Sequence, residues 1–215
     1  MLNERTLRVA ILCSTRAPGL GALLSDPARG FEYEIACVIT NNRDLREREA
    51  LVGAGIACIA RPAPPRDLHE REQYDAETAA YLATFDVDLV VLCCYLRILT
   101  APMLAAFPQR IVNLHDSDLA ITGDGGNPRY VGLRSTLDAI VAGERETRAT
   151  AHWVSEKVDG GPILLRSEAF PVPALGREEL KPYARLHREW VIRTTWGPLM
   201  KEAIRRIAWV EAAVA

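Results

Sequence analysis

Asn113 and His115 stand two apart in the apolar stretch Ile111-Val112-Asn113-Leu114-His115, and a carboxylate follows downstream in Lys157-Val158-Asp159-Gly160-Gly161-Pro162-Ile163. The first stretch reads as a short buried strand. Side chains alternate across a strand, so an amide and an imidazole at i and i+2 project from one face. The second reads as a loop that sets Asp159 beside two glycines before another apolar run, Ile163 to Phe170. An amide donor, an imidazole and a carboxylate suit an acyl transfer, in which an oxyanion forms and a proton must move. A strand end with a satisfied Asn and His, followed by an ordinary Asp-Gly-Gly turn, accounts for the same residues without chemistry. The surrounding elements have to decide between them.

Those elements alternate through the first half. Strand signals cover Leu7–Cys13, Tyr33–Thr40, Ala57–Ile59, Val87–Cys93 and Ile111–Leu114, with helical character near Gly19–Ser25 and over Leu45–Ala54, Glu70–Phe85 and Ala101–Phe107. The segment Arg61-Pro62-Ala63-Pro64-Pro65-Arg66 is an extended connector, because its prolines fix φ and remove donors. Apolar strands interleaved with helices predict an α/β fold: a three-layer, doubly wound, mostly parallel, Rossmann-like sheet covered on both faces. Asn113 and His115 then fall at the C-terminal end of a parallel strand, where open α/β sheets form their ligand crevices. The second half reads as a polar loop over Asp116–Tyr130, a helix over Leu133–Val141, strands over Thr147–Val154 and Ile163–Phe170, and a long C-terminal helix. That helix runs from Gly176 to about Ala208, with Gly197-Pro198 as an expected kink or break. No repeat or interdomain linker is visible, so residues 1–215 are expected to form one domain.

Composition narrows the class of function. A chain of 215 residues with 49% hydrophobic and 25% charged residues has the makeup of a globular protein with a proper core. A net charge of −2 leaves no electrostatic footprint for nucleic acid. Five cysteines, Cys13, Cys37, Cys58, Cys93 and Cys94, lie in apolar contexts with no zinc-like spacing. They read as buried free thiols of a reducing cytoplasm, and no metal is expected. The charged stretch Met1–Arg8 has no apolar signal core, and runs such as Leu89–Leu96 fall far short of the roughly 20 residues of a membrane span. His69 and His187 read as surface residues.

Asn-x-His at a strand end, joined to the later Val158-Asp159-Gly160-Gly161-Pro162-Ile163, resembles the folate-dependent formyltransferase superfamily, nearest to its glycinamide ribonucleotide (GAR) formyltransferase branch. The stretch Val91-Leu92-Cys93-Cys94-Tyr95-Leu96-Arg97-Ile98-Leu99 is similar to the family strand and loop that hold the pterin. Arg71-Glu72-Gln73-Tyr74-Asp75 is similar to the start of the family's third helix, and the likeness runs from about Leu7 to about Pro171. The resemblance implies transfer of a formyl group from 10-formyltetrahydrofolate, as cosubstrate, to a primary amine such as GAR or an amino-sugar nucleotide. It implies that Asn113 donates to the formyl oxygen as it becomes an oxyanion, that a charged His115 assists, and that Asp159 pairs with the His and moves the amine proton. Leu96, Arg97, Ile98 and Leu99 would form the pterin pocket, Val154 and Val158 its second wall, and Arg71 would lie near the folate's glutamate tail. His152 also has a family counterpart and reads as a structural imidazole. The expected partners are the folate and a small amine, with a homodimer allowed and neither nucleic acid nor membrane involved. A hydrolase acting on the same folate and a non-catalytic folate-binding regulator are the rival readings. A mere binder has no chemical need for Asn113, His115 and Asp159 together.

Two segments depart from the family pattern. The loop after the first strand, Cys13-Ser14-Thr15-Arg16-Ala17-Pro18-Gly19-Leu20-Gly21, stands where the family cradles the substrate phosphate with glycines. Ser14, Thr15, Arg16 and Gly19 remain as candidate substrate contacts, but Pro18 removes a donor. Gly19-x-Gly21 imitates a dinucleotide fingerprint, yet Leu24 occupies the third glycine position. The second departure is the insertion Asp116–Asn127 directly after His115, expected to be a flexible, solvated acidic loop on the acceptor side, opposite Leu96–Leu99 and Val154–Val158. It lacks the spacing of a calcium loop.

Overall fold

Val9, Ile11 and Cys13 face one side of strand β1 (Leu7–Cys13), Ala10 and Leu12 face the other, and all five are buried. A strand hidden on both faces must be covered by two layers, and β4 (Leu89–Leu92) repeats the pattern beside it. In the computed structural model, which describes residues 6–14 and 16–214, these strands are the centre of a seven-stranded sheet. Its order is β3-β2-β1-β4-β5-β7-β8, with β2 (Tyr33–Thr40), β3 (Ala57–Ala60), β5 (Ile111–His115), β7 (Thr150–Trp153) and β8 (Ile163–Arg166). The first five strands in sequence are parallel, while β7 and β8 are antiparallel. The fold is therefore the three-layer, doubly wound, mostly parallel class that the sequence predicts.

On one face, β1 and β4 pack with α1 (Leu20–Leu24) and the long C-terminal helix α6 (Leu180–Val214) through Leu20, Leu23, Trp196, Met200 and Ile204. On the other, α3 (Leu68–Ala83) and α4 (Ala101–Ala106) bring Ala79, Leu82 and Met103. Helix α3 begins where Asp67 accepts from the Glu70 backbone N–H at 3.1 Å, an N-cap that satisfies an orphan donor. Helices α2 (Arg48–Gly53) and α5 (Ser135–Val141) complete the layers.

Three expectations about elements are corrected. The runs Thr147–Val154 and Ile163–Phe170 each divide, because the chain changes sheets: β6 (Glu146–Thr147) and β9 (Phe170–Pro171) pair with each other in a separate two-stranded sheet. Gly197-Pro198 does not break α6, which runs through Pro198. Proline removes one helical hydrogen bond, and packing on both sides of the position holds the helix together. A Cβ on Gly197 would meet Ala22 Cβ at 2.8 Å, and one on Gly19 would meet Met200 Cε at 2.8 Å, so α1 and α6 approach through bare glycines. His187, expected at the surface, is 2% exposed: its Nε2 lies 2.7 Å from Thr147 Oγ1 and its Nδ1 3.1 Å from the Tyr183 hydroxyl. Among the described residues no helix is long and apolar enough to cross a membrane.

Candidate active site

Strand order reverses between β1 and β4, and the loops leaving the C-terminal ends of these two strands open a crevice there. The two loops are tied to each other: the Ser14 backbone N–H donates to Cys94 O at 3.1 Å, and the Leu96 N–H donates to Ser14 Oγ at 3.1 Å. Helix α3 clamps the far end of the second loop. Asp75, buried, accepts from Thr100 N at 2.6 Å and Thr100 Oγ1 at 2.7 Å, and one turn earlier Arg71 Nη2 donates to Ile98 O at 2.8 Å. Arg71 thus shapes the loop from behind and is not among the residues lining the cavity.

At the neighbouring strand, β5 presents Asn113 and His115 on one face and pairs antiparallel with β7, setting Asn113 opposite His152. Beyond β7 the chain doubles back so tightly that a Cβ on Gly161 would lie 1.9 Å from Trp153 O, while Trp153 N donates to Pro162 O at 2.9 Å. This fold-back carries Asp159, at φ 52°, over the end of β5. Its Oδ2 accepts from Gly132 N at 2.8 Å and lies 3.6 Å from His115 Nδ1; its Oδ1 lies 3.7 Å from His152 Nε2. His115 Nε2 faces Tyr130 O at 3.3 Å, so each of its ring nitrogens faces an acceptor. Asn113 Nδ2 is 3.1 Å from His152 Nε2. Burial lowers the His152 pKa below its ordinary 6.5, and the nearby Asp159 charge only partly offsets it.

Asn113, His115 and Asp159 share one cavity of about 330 Å³. Its apolar walls are Leu92 and the Leu96–Leu99 loop on one side and Val154 and Val158 on the other, with Arg97 at the rim. Leu96, Ile98 and Val158 are exposed there, as apolar groups awaiting a ligand face would be. The space therefore combines a greasy slot with an amide donor, an imidazole and a carboxylate at one end. That set can bind a flat ring, stabilise an oxyanion and carry a proton. Among the described residues no group of three or more His, Cys, Asp or Glu is arranged to hold a metal ion.

The first-loop candidates lie apart from this trio. Arg16 and Gly19 line a second cleft of about 1070 Å³, which shares only Cys94, Leu96 and Arg188 with the first cavity. Arg16 Nη2 is held by Glu189 at 3.0 and 3.2 Å, and Ser14 Oγ accepts from Leu96 N and Asn41 Nδ2. Thr15 lies outside the described residues.

The insertion after His115 is not solvated at its start. Asp116 and Asp118 are buried: Asp116 accepts from Ser135 Oγ at 2.9 Å and pairs with Arg188, and Asp118 pairs with Arg166 at 3.1 Å and Arg148 at 3.8 Å. Buried carboxylates need such partners. The loop then turns through a 3₁₀ segment, Asp124–Gly126, and Asn127 bonds Lys157, on the same side of the cavity as Val154 and Val158. Its return leg supplies the Tyr130 carbonyl and Gly132 N–H that hold His115 and Asp159. Sequence reading missed α6 as a wall: Arg188 and Trp196 line the first cavity, and Glu189 and Arg193 the second. The inward face of an amphipathic helix carries no local mark of what it faces.

A model of the formyl transferase family matches residues 7–190 of the chain. The chain is 31% identical over 214 residues to the trifunctional purine biosynthetic protein adenosine-3 of Drosophila pseudoobscura pseudoobscura, covering 98% of itself and 15% of that protein. It is 32% identical over 160 residues to the formyltetrahydrofolate deformylase of Escherichia coli, covering 74% of itself and 52% of that enzyme. It thus spans only a small part of the first relative and about half of the second. The structure of glycinamide ribonucleotide transformylase 1 from Symbiobacterium toebii superposes with a TM-score of 0.73 at 31% identity, covering 94% of this chain and 88% of that one.

Proposed function

The chain belongs to the formyl transferase family, and from that premise we propose that it moves a formyl group from 10-formyltetrahydrofolate to the primary amine of a small molecule. The cavity fits such a donor by its chemistry: Leu92, Leu99, Val154 and Val158 suit the faces of a heteroaromatic ring, and the polar trio stands at one end. When bound, the folate supplies an activated formyl carbon. Asn113 Nδ2 donates to the formyl oxygen as negative charge develops on it, the role for which a fixed amide donor is most effective. His115, set between the Tyr130 carbonyl and Asp159, assists the proton's movement. Asp159 receives a proton from the attacking amine and returns it toward the departing folate nitrogen. The carbon–nitrogen bond to the folate breaks, one to the amine forms, and the amine proton ends on the folate nitrogen.

The observation that carries this reading is the convergence of Asn113, His115 and Asp159 on one apolar-walled cavity. Likeness to a formyltetrahydrofolate deformylase favours a second outcome at the same site, in which water is the acceptor and formate leaves. Turnover of 10-formyltetrahydrofolate, measured with GAR, with a panel of other primary amines and without amine, separates the two. Amine-dependent release of tetrahydrofolate with a formylated product supports transfer. Release at one rate whether or not amine is present identifies the hydrolase, and binding without release leaves only a folate-binding protein.

A further inference from the structure

Arg188 and Trp196 stand two turns apart on the inner side of α6, and both wall the cavity that holds Asn113, His115 and Asp159. Arg188 also walls the second cleft, so its guanidinium stands where the two spaces meet. Its Nε donates to Asp116, and Ser135 Oγ braces that carboxylate. Among the described residues neither terminal nitrogen of Arg188 has a partner. Trp196 is 3% exposed, and its indole N–H has no acceptor among the described residues. That N–H is closed off from the cavity, so the open donors on this wall are the terminal nitrogens of Arg188.

The first loop is poorly equipped to hold a distant anion. Pro18 has no N–H, Gly19 is pressed against Gly197 and Met200, and Arg16 is already paired with Glu189. Arg46 and Arg193 line the same cleft farther out, while Arg188 alone of these cations also walls the cavity of the reacting groups.

We propose that the acceptor carries a carboxylate next to its reacting amine, as an α-amino acid does, and that Arg188 receives that carboxylate. This rests on the transfer reading above. The parallel N–H groups of a guanidinium match the two oxygens of a carboxylate. Asp116 anchors Arg188 through Nε and tempers its charge. An acceptor whose only anion lies at its far end, or an uncharged amino sugar, makes no use of these donors.

The test is formyl transfer from 10-formyltetrahydrofolate to α-amino acids, to the matching amino acid amides and to GAR, with kcat/KM expressed per neutral amine. The acids should exceed their amides by roughly tenfold or more, the effect of one charge-assisted contact. Arg188→Met should raise the acid KM by roughly tenfold or more while kcat and the folate KM change little, because it removes binding shared by ground and transition states. Asp116→Asn, which keeps the cation and removes its counter-charge, should lower the acid KM. A purely structural pair would make the Arg188 and Asp116 variants impair acids, amides and folate binding alike. That result overturns the proposal, as does equal or better use of amides or GAR. If Arg188→Met does not fold, the sign of the Asp116→Asn effect decides. Transfer to amines without any carboxylate preference refutes this inference alone. Formyl release that ignores every amine refutes the transferase reading and this inference with it.

Discussion

Asn113 Nδ2 lies 3.1 Å from Nε2 of His152, its direct partner across the pairing of β5 and β7. Burial lowers the His152 pKa, so the ring is neutral at pH 7, and Nδ1, 2.9 Å from Trp153 O, keeps the proton. Nε2 then presents a lone pair, and Asn113 must turn its amino end toward it. The amide oxygen is directed away, and the second Nδ2 hydrogen remains for a ligand oxygen. A residue that reads as structural in the sequence thus sets the orientation of the proposed oxyanion donor.

Asn113→Ala should reduce formyl transfer by roughly 10² to 10³, the range for loss of one oxyanion donor, with folate affinity little changed. Steady-state turnover together with calorimetric folate binding checks this. Near wild-type turnover would sink the oxyanion role.

Asp159 combines a left-handed backbone, which Asn tolerates well, with a carboxylate bonded to Gly132 N. Asp159→Asn should therefore fold like the parent, since its amide oxygen can still accept from Gly132 N. Transfer should fall by roughly 10² to 10⁴, as for loss of a general acid–base group. Asp159→Ala, which loses the Gly132 bond too, should have the lower Tm of the two. The reverse order of Tm would remove the positioning argument.

Stability should fall as pH drops below about 6.5. Burial lowers the pKa of both His152 and His187 beneath the 6.5 of an unfolded histidine. Between that value and the folded pKa the unfolded chain binds more protons, so unfolding is favoured as pH falls and disfavoured as it rises. Urea denaturation from pH 7.5 to 5 measures the slope. His187→Gln should flatten it, and a slope unchanged in that variant would exclude His187 as a source.

Gly161→Ala should destabilise the fold by roughly 1–3 kcal/mol, the range for overpacking, because its Cβ would collide with Trp153 O. The main chain cannot withdraw without displacing Asp159 and Val158, so folate affinity should fall as well. Thermal unfolding and folate titration of the variant test both, and a parental Tm with parental affinity contradicts the fold-back geometry.

By itself the sequence determined what depends on neighbours within a few residues. The apolar runs of β1 and β4 dictated strands covered on both faces, and i, i+2 spacing placed Asn113 and His115 on one side of β5. The helical character from Glu70 fell within two residues of the start of α3 at Leu68. Tertiary structure alone decided what depends on contacts between distant segments. It brought Asp159 to 3.6 Å from His115 through a fold-back that only Gly161 permits. It buried Asp116 and Asp118 beside Arg188 and Arg166, although an acidic, glycine-rich stretch has the composition of a solvated loop. It hid His187 under β6 and turned Arg188 and Trp196 toward the cavity. Periodicity reports which face of an element is apolar. Which charge or ring that face meets is fixed only when another part of the chain packs against it, because burying a polar group requires a partner that local sequence does not name.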